Sequence, residues 1–246
     1  MKNNTISKLF NLKGKTIIIT GSAGRLGSRY SEILSEAGAN MILIDINTKK
    51  NNLLEKHLRK KFKTDPLAIN MDITDPVQIK KMKNTVLKKY KKIYGLINNA
   101  NPYVTQHDLK FQNFPLDIWQ KYVDVDLIAT FLLCREFGTL MAKQKEGVIV
   151  NISSIYGIVG PDQRIYGNSK LNSQIPYSAV KGGIINMTKY LAAYWHNKNV
   201  RVNTLTPGGV EDKKYQSKEF IKKYSEKTML GRMAKNDDYS GSILFL

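Results

Sequence analysis

The chain has 246 residues and 42% hydrophobic content, enough for one sizeable core, and we read residues 1–246 as a single domain. Its formal net charge is +19, but only seven of the 39 basic residues are arginine. The lysines are spread over many segments, so a solvated lysine-rich surface explains the charge best, a basic mouth for an anionic substrate comes next, and specific nucleic-acid binding comes last. A single cysteine, Cys134, excludes an internal disulfide; no apolar run approaches ~18 residues, and the first residues lack a secretory apolar region, which excludes a membrane span and points to the cytoplasm.

Lys15-Thr-Ile-Ile-Ile-Thr20 is short, β-branched and continuous, as a fully buried strand requires. The turn Gly21-Ser22-Ala-Gly24-Arg25-Leu26-Gly27 follows, then a helix over Ser28–Gly38 closed by its glycine. Strand, glycine-rich turn and helix together make a diphosphate cradle: glycines admit the backbone close to phosphate, and the helix N-terminus offers unpaired N–H groups. Asn40–Asp45 is a second buried strand. Its terminal carboxylate lies where an acid can bond the adenosine ribose hydroxyls and repel the extra phosphate of NADP, so NAD(H) is preferred over NADP(H).

Leu67–Asn70 is a third strand, followed by Asp72-Ile73 and a helix capped by Thr74 or Asp75 with Pro76 in its first turn. Tyr94-Gly-Leu-Ile-Asn-Asn99-Ala100 is the fourth strand and its exit. Residues 101–115 form a long polar loop bordering the site. Leu116 to about Lys143 reads as one long helix, and Gly147–Ser154 as the fifth strand. A helix begins near Ser178 with Tyr177 and Lys181 one turn apart, where a nearby cation favours a phenolate and makes the pair a proton donor or acceptor for a carbonyl. Val200–Leu205 is the sixth strand, leading to Pro207-Gly208. Residues 210–229 are polar and lysine-rich, a candidate lid, and the end of the chain reads as a helix start. Alternating strands and helices predict a mostly parallel sheet with helices on both faces and a ligand at the carboxyl ends of the strands, where Gly21, Asp45, Asp72, Asn98 and Ser154 all fall. The three histidines, His57, His107 and His196, share no metal-ligand spacing, and no metal is expected.

Thr20-Gly21…Gly27, Asn98-Asn99-Ala100, Asn151-Ile-Ser153-Ser154, Tyr177…Lys181 and Pro207-Gly208 resemble, in order and along almost the whole chain, the short-chain dehydrogenase/reductase superfamily. The resemblance implies an α/β Rossmann-type doubly wound sheet and a nicotinamide-dependent oxidoreductase interconverting an alcohol and a ketone. It makes Tyr177 the acid/base, Lys181 its cationic partner and the holder of the nicotinamide ribose, and Ser154 the bond to the substrate oxygen. It assigns the cofactor to Gly21, Ser22, Arg25, Leu26, Gly27, Asp45, Asp72, Ile73, Asn99, Ala100, Tyr177, Lys181, Pro207, Gly208 and Val210. It also implies a homo-oligomer, dimer or tetramer.

Four departures stand out. Arg25 occupies the second glycine position of the turn, and Asn101 replaces the glycine after Asn-Asn-Ala. Asp126 stands where the family carries the asparagine of its proton relay, so the relay is altered or the enzyme weakened. The sequence stops at Leu246, where relatives continue into a final strand, which predicts an exposed edge and a poorer dimer. Tyr166-Gly-Asn-Ser-Lys170 repeats the Tyr-x-x-x-Lys spacing, but its continuation is polar and interrupted by Pro176, so Tyr177 is preferred and 160–176 becomes an insertion beside the site. With that insertion, the run Ile155–Asp162 resembles members linked to surface-polysaccharide and flagellin-glycan sugar biosynthesis, which suggests a phosphorylated or nucleotide-linked sugar. The competing reading is a cofactor-binding relative with weak catalysis, a regulatory or partner protein.

Overall fold

The computed structural model describes residues 5–169 and 171–246. Six strands form one sheet in the order β3-β2-β1-β4-β5-β6, and every pair is parallel. They are β1 (Thr16–Thr20), β2 (Asn40–Asp45), β3 (Leu67–Asn70), β4 (Gly95–Asn98), β5 (Gly147–Ile152) and β6 (Val200–Leu205). The order turns back between β1 and β4, which opens a crevice at the carboxyl ends of those strands.

Consecutive strand residues feed opposite cores, as the two-residue strand period demands. Ile18, Ile42, Ile44, Leu96, Ile149 and Val202 face one side, with Ile79, Met82, Phe137 and Trp195 packed on them. Ile17, Ile19, Met41, Leu43, Ile97 and Val150 face the other, under Tyr30, Leu34 and Leu58. With both faces covered, β1, β2, β4 and β5 are largely apolar runs without polar alternation, whereas the edge strand β6 alternates at its start and exposes Arg201.

After a short helical stretch at Thr5–Leu9, the main helices are α1 (Arg25–Glu36), α2 (Thr48–Phe62), α3 (Pro76–Tyr90), a long helix α4 over 116–144, α5 (Ile175–Tyr194), α6 (Lys218–Glu226) and α7 (Ser240–Phe245). Gly38, at φ +101°, turns the chain out of α1. Asp75 caps α3, accepting the N–H groups of Val77 and Gln78, and Pro76 occupies the first turn. Helix α4 contains two π-helical stretches, Val123–Ile128 and Cys134–Gly138. At Gly138 the Trp195 ring lies where a Cβ would stand, 2.1 Å from the nearest ring carbon.

Three expectations need correcting. Helix α5 begins at Ile175, three residues before Ser178, so Pro176 lies in its first turn, where it has no hydrogen bond to lose. Residues 160–176 therefore run into the helix and are not a break before it. Residues 210–229 are not simply polar: α6 turns Phe220, Ile221 and Tyr224 onto Ile165, Met233, Ile155 and Tyr166.

Candidate active site

A cavity of about 1070 Å³ opens along the carboxyl ends of the strands. At one end lies the turn after β1. Gly21 has φ +64°, and a Cβ there would meet the Ala100 Cα at 2.8 Å; at Gly27 a Cβ would lie 2.1 Å from the Gly21 carbonyl oxygen. Only bare backbone fits both positions. The Asn99 side-chain amide ties this turn to β4, donating to the Thr20 and Gly21 carbonyls at 2.9 and 3.2 Å. Gly24 caps α1 without a side-chain bond, so the first N–H groups of this twelve-residue helix stay free at the cavity wall. Cradle and helix end fit a diphosphate.

Asp45 closes β2 at the next stretch of wall. One carboxylate oxygen accepts Ala23 N–H at 2.9 Å and the other Asn47 N–H at 2.8 Å, each keeping a lone pair for a further donor. Asp72 and Ile73 line the same region. Ser22 does not. It is fully buried, and its hydroxyl donates to Asn51 Oδ1 at 2.7 Å, anchoring α2 beneath the turn. The Ser22 hydroxyl is thus taken up inside the fold, away from the cavity. Arg25 reaches across the opening: its guanidinium donates to the Val210 and Glu211 carbonyls and pairs with Asp212 at 3.1 Å, fastening the cradle to the segment after β6.

At the other end, α5 brings Tyr177 and Lys181 onto the wall opposite Ser154. The Ser153 hydroxyl is spent on the Lys181 carbonyl at 2.7 Å. Ser154 Oγ accepts Tyr156 N–H, which leaves the Ser154 hydroxyl hydrogen to donate. Lys181 Nζ lies 5.5 Å from the centre of the Tyr177 ring, donates to the Ile152 carbonyl at 3.2 Å and pairs with Asp126 Oδ1 at 2.6 Å. Burial pushes the Asp126 carboxyl up from its usual value, and the Lys181 ammonium opposes that rise. Pro207, Gly208 and Val210 complete the wall.

Several lining residues carry no local sequence signal. Tyr156, Tyr166, Phe220 and Tyr224 form an aromatic wall near Tyr177, with the Tyr166 and Phe220 rings 5.2 Å apart. Tyr224 Oη accepts Gly209 N–H. Residues 160–174 are stitched to the 101–110 loop: Asn172 N–H donates to the His107 carbonyl, and Gln174 bridges the Gln106 carbonyl and the Tyr122 hydroxyl. Of the alternative pair, Tyr166 packs under α6 and Lys170 lies outside the described residues. The three histidines are exposed, and no group of His, Cys, Asp and Glu clusters for a metal among the described residues. No helix among them is long and apolar enough to cross a membrane.

The parallel sheet, the glycine cradle and the Ser–Tyr–Lys wall define an oxidoreductase of the Rossmann dinucleotide class. A sequence profile of short chain dehydrogenases matches residues 15–220. The chain is 31% identical over 237 residues to the post-translational flagellin modification protein A of Campylobacter coli, covering 96% of this chain and 91% of that one. It is 33% identical over 240 residues to the 3-oxoacyl-[acyl-carrier-protein] reductase of Thermotoga maritima, with the same coverage. A short chain dehydrogenase of Leptospira borgpetersenii, solved with bound NAD+, superposes with a TM-score of 0.83 at 32% identity, covering 100% of this chain and 89% of the other. The chain belongs to the short-chain dehydrogenase/reductase family, whose members use nicotinamide cofactors.

Proposed function

We propose that this protein is an NAD(H)-preferring oxidoreductase that interconverts an alcohol and a ketone on a sugar derivative. The observation that carries the reading is one cavity lined by a glycine cradle, the Asp45 carboxylate and then Ser154, Tyr177 and Lys181. The bound nicotinamide supplies or accepts the hydride. The chain handles the oxygen and its proton. Ser154 donates a hydrogen bond to the substrate oxygen, and Tyr177 Oη gives or takes the proton. Two of the three Lys181 N–H bonds are engaged by Asp126 and Ile152, which leaves one for the nicotinamide ribose.

Asp45 supports NAD(H): a carboxylate held by two backbone N–H groups accepts ribose hydroxyls and repels a phosphate in their place. The aromatic wall supports a sugar, because phenol rings stack on C–H faces while their hydroxyls bond to polyols. The resemblance of the run Ile155–Asp162 to members linked to flagellin-glycan sugars supports a glycan-precursor route, with which a Campylobacter coli relative named for flagellin modification agrees, and the net charge of +19 supports an anionic form of the sugar. Tyr177→Phe is expected to abolish turnover on ketose and nucleotide-sugar substrates while calorimetry still registers NADH binding; undiminished turnover would remove Tyr177 from the reaction. A second reading, a cofactor-binding relative with weak turnover, draws support from the Asp126–Lys181 pair. It would be selected if the unaltered chain bound NADH yet turned over no better than Tyr177→Phe across that substrate panel.

A further inference from the structure

Lys181 and Asp126 are 3% and 1% exposed, so their 2.6 Å pair is almost wholly buried, with Lys181 at the cavity wall and Asp126 behind it. Asp126 lies in the first π-helical stretch of α4 and packs against α5, 55 residues away in sequence. Its second oxygen, Oδ2, is buried without a partner among the described residues. The carboxylate is therefore devoted to Lys181 alone. An unpaired ammonium beside a phenol stabilises the phenolate. Here a carboxylate sits against that ammonium, and in a buried site the two fields cancel by geometry, with little screening by salt.

Among the described residues no other charge takes over the role. Tyr122 meets the Tyr177 ring edge-on at 6.4 Å, and Tyr156, Tyr166 and Tyr224 face it from the turn after β5, the insertion and α6. Burial pushes all four of these phenols up, so they remain neutral neighbours. Lys121, which lines the cavity from α4, donates to the Tyr103 carbonyl at 2.8 Å, and Arg25 is paired with Asp212. Ser154 is uncharged.

We propose that Asp126 is a positioning residue that neutralises Lys181, keeps Tyr177 a proton-donating phenol through the neutral range and so confines alcohol oxidation to alkaline pH. The proposal rests on the reading of Tyr177 as acid/base. In ketone reduction the Tyr177 O–H bond breaks as the carbonyl oxygen takes the proton. The carbonyl carbon receives the hydride and its two electrons from the reduced nicotinamide, which leaves oxidised, and solvent returns a proton to Tyr177.

The test is a tyrosinate absorbance titration of the cofactor-free protein, with each trace subtracted against its Tyr177→Phe counterpart so that only the Tyr177 component remains. In Asp126→Asn that component is expected to move to lower pH by roughly one unit or more, and the acid limb of the alcohol-oxidation profile is expected to move with it. In the double variant Asp126→Asn/Lys181→Met, which removes both charges, it should return close to its position in the unaltered chain. A component that stays still or moves upward in Asp126→Asn would overturn the proposal. If that variant does not fold, the double variant decides: a component near the original position supports neutralisation, and one displaced upward by about a unit or more refutes it. An immobile component alongside an inactive Tyr177→Phe variant removes only the role of Asp126, whereas an active Tyr177→Phe variant removes the acid/base reading beneath it.

Discussion

On the proposed reading, Asp45 is the residue that sets the cofactor preference. Its carboxylate is held by Ala23 and Asn47 N–H groups before any ligand arrives, so its orientation costs nothing further on binding. In calorimetric titrations NADH is expected to bind much more tightly than NADPH. Asp45→Ala should weaken NADH by about 1.5 kcal/mol or more, roughly tenfold, through loss of charged hydrogen bonds, and should narrow the gap to NADPH; an unchanged gap would remove Asp45 from cofactor choice. Cys134 is the opposite case, a residue whose surroundings silence it. It is 1% exposed, and burial pushes its thiol up to about 12. The thiolate is the reactive form, so iodoacetamide should leave Cys134 unmodified in the folded protein at mildly alkaline pH and alkylate it in denaturant, as read by intact mass. Alkylation of the folded chain would contradict its place between Asn98 and Asn151.

Among the elements, α4 carries the most varied demands. It supplies Asp126 to the site, Gly138 to the Trp195 ring and Glu136 to α3. The Lys83–Glu136 contact is 2.6 Å long, with the two side chains 28% and 16% exposed. The Lys83 hydrogen bond holds the Glu136 carboxyl below its ordinary value. A lowered carboxyl stabilises the fold above the unfolded value of about 4.3 and loses that contribution as pH falls through the folded value. Glu136→Gln should therefore lower Tm at neutral pH, by an amount corresponding to about 0.5–1 kcal/mol, and match the unaltered chain once the carboxyl is protonated. An equal loss at both ends of the pH range would mean that Glu136 acts through packing alone. Helix α6 carries a second lesson. Its lysines, Lys218, Lys222 and Lys223, marked the segment as a polar candidate lid, and Phe220 and Tyr224 on its other face form part of the cavity wall, which composition alone does not reveal.

For the whole molecule, the charge of +19 is the feature most open to a different reading. Lysines scattered over the solvent faces of several helices attract polyanions without fixing a register. Binding to random DNA or RNA is expected to be weak at physiological salt and to fall steeply as salt rises; tight binding that persists there would make nucleic acid a true partner.

Much of this architecture is legible in the sequence because strands buried on both faces, glycine turns and first-turn prolines are local signals. The ranges Asn40–Asp45, Leu67–Asn70 and Val200–Leu205 follow from β-branched and apolar runs bounded by polar residues. The start of α5 was misplaced because Pro176 is as much a helix starter as a breaker, and only the packing of the preceding residues decides which.

The sequence by itself determined the order of elements, the bare-backbone cradle at Gly21 and Gly27, and the placing of Tyr177 and Lys181 on one helix face. Each depends on residues within a few positions of one another, where sterics and backbone hydrogen bonding act. Only the tertiary structure decided that Ser22 turns inward to Asn51, that Asp126 closes on Lys181, and that Tyr156, Tyr166, Phe220 and Tyr224 share one wall. Those partners lie tens of residues apart, and they meet because a parallel sheet brings the carboxyl ends of its strands to one side and leaves the intervening loops and helices to close over them.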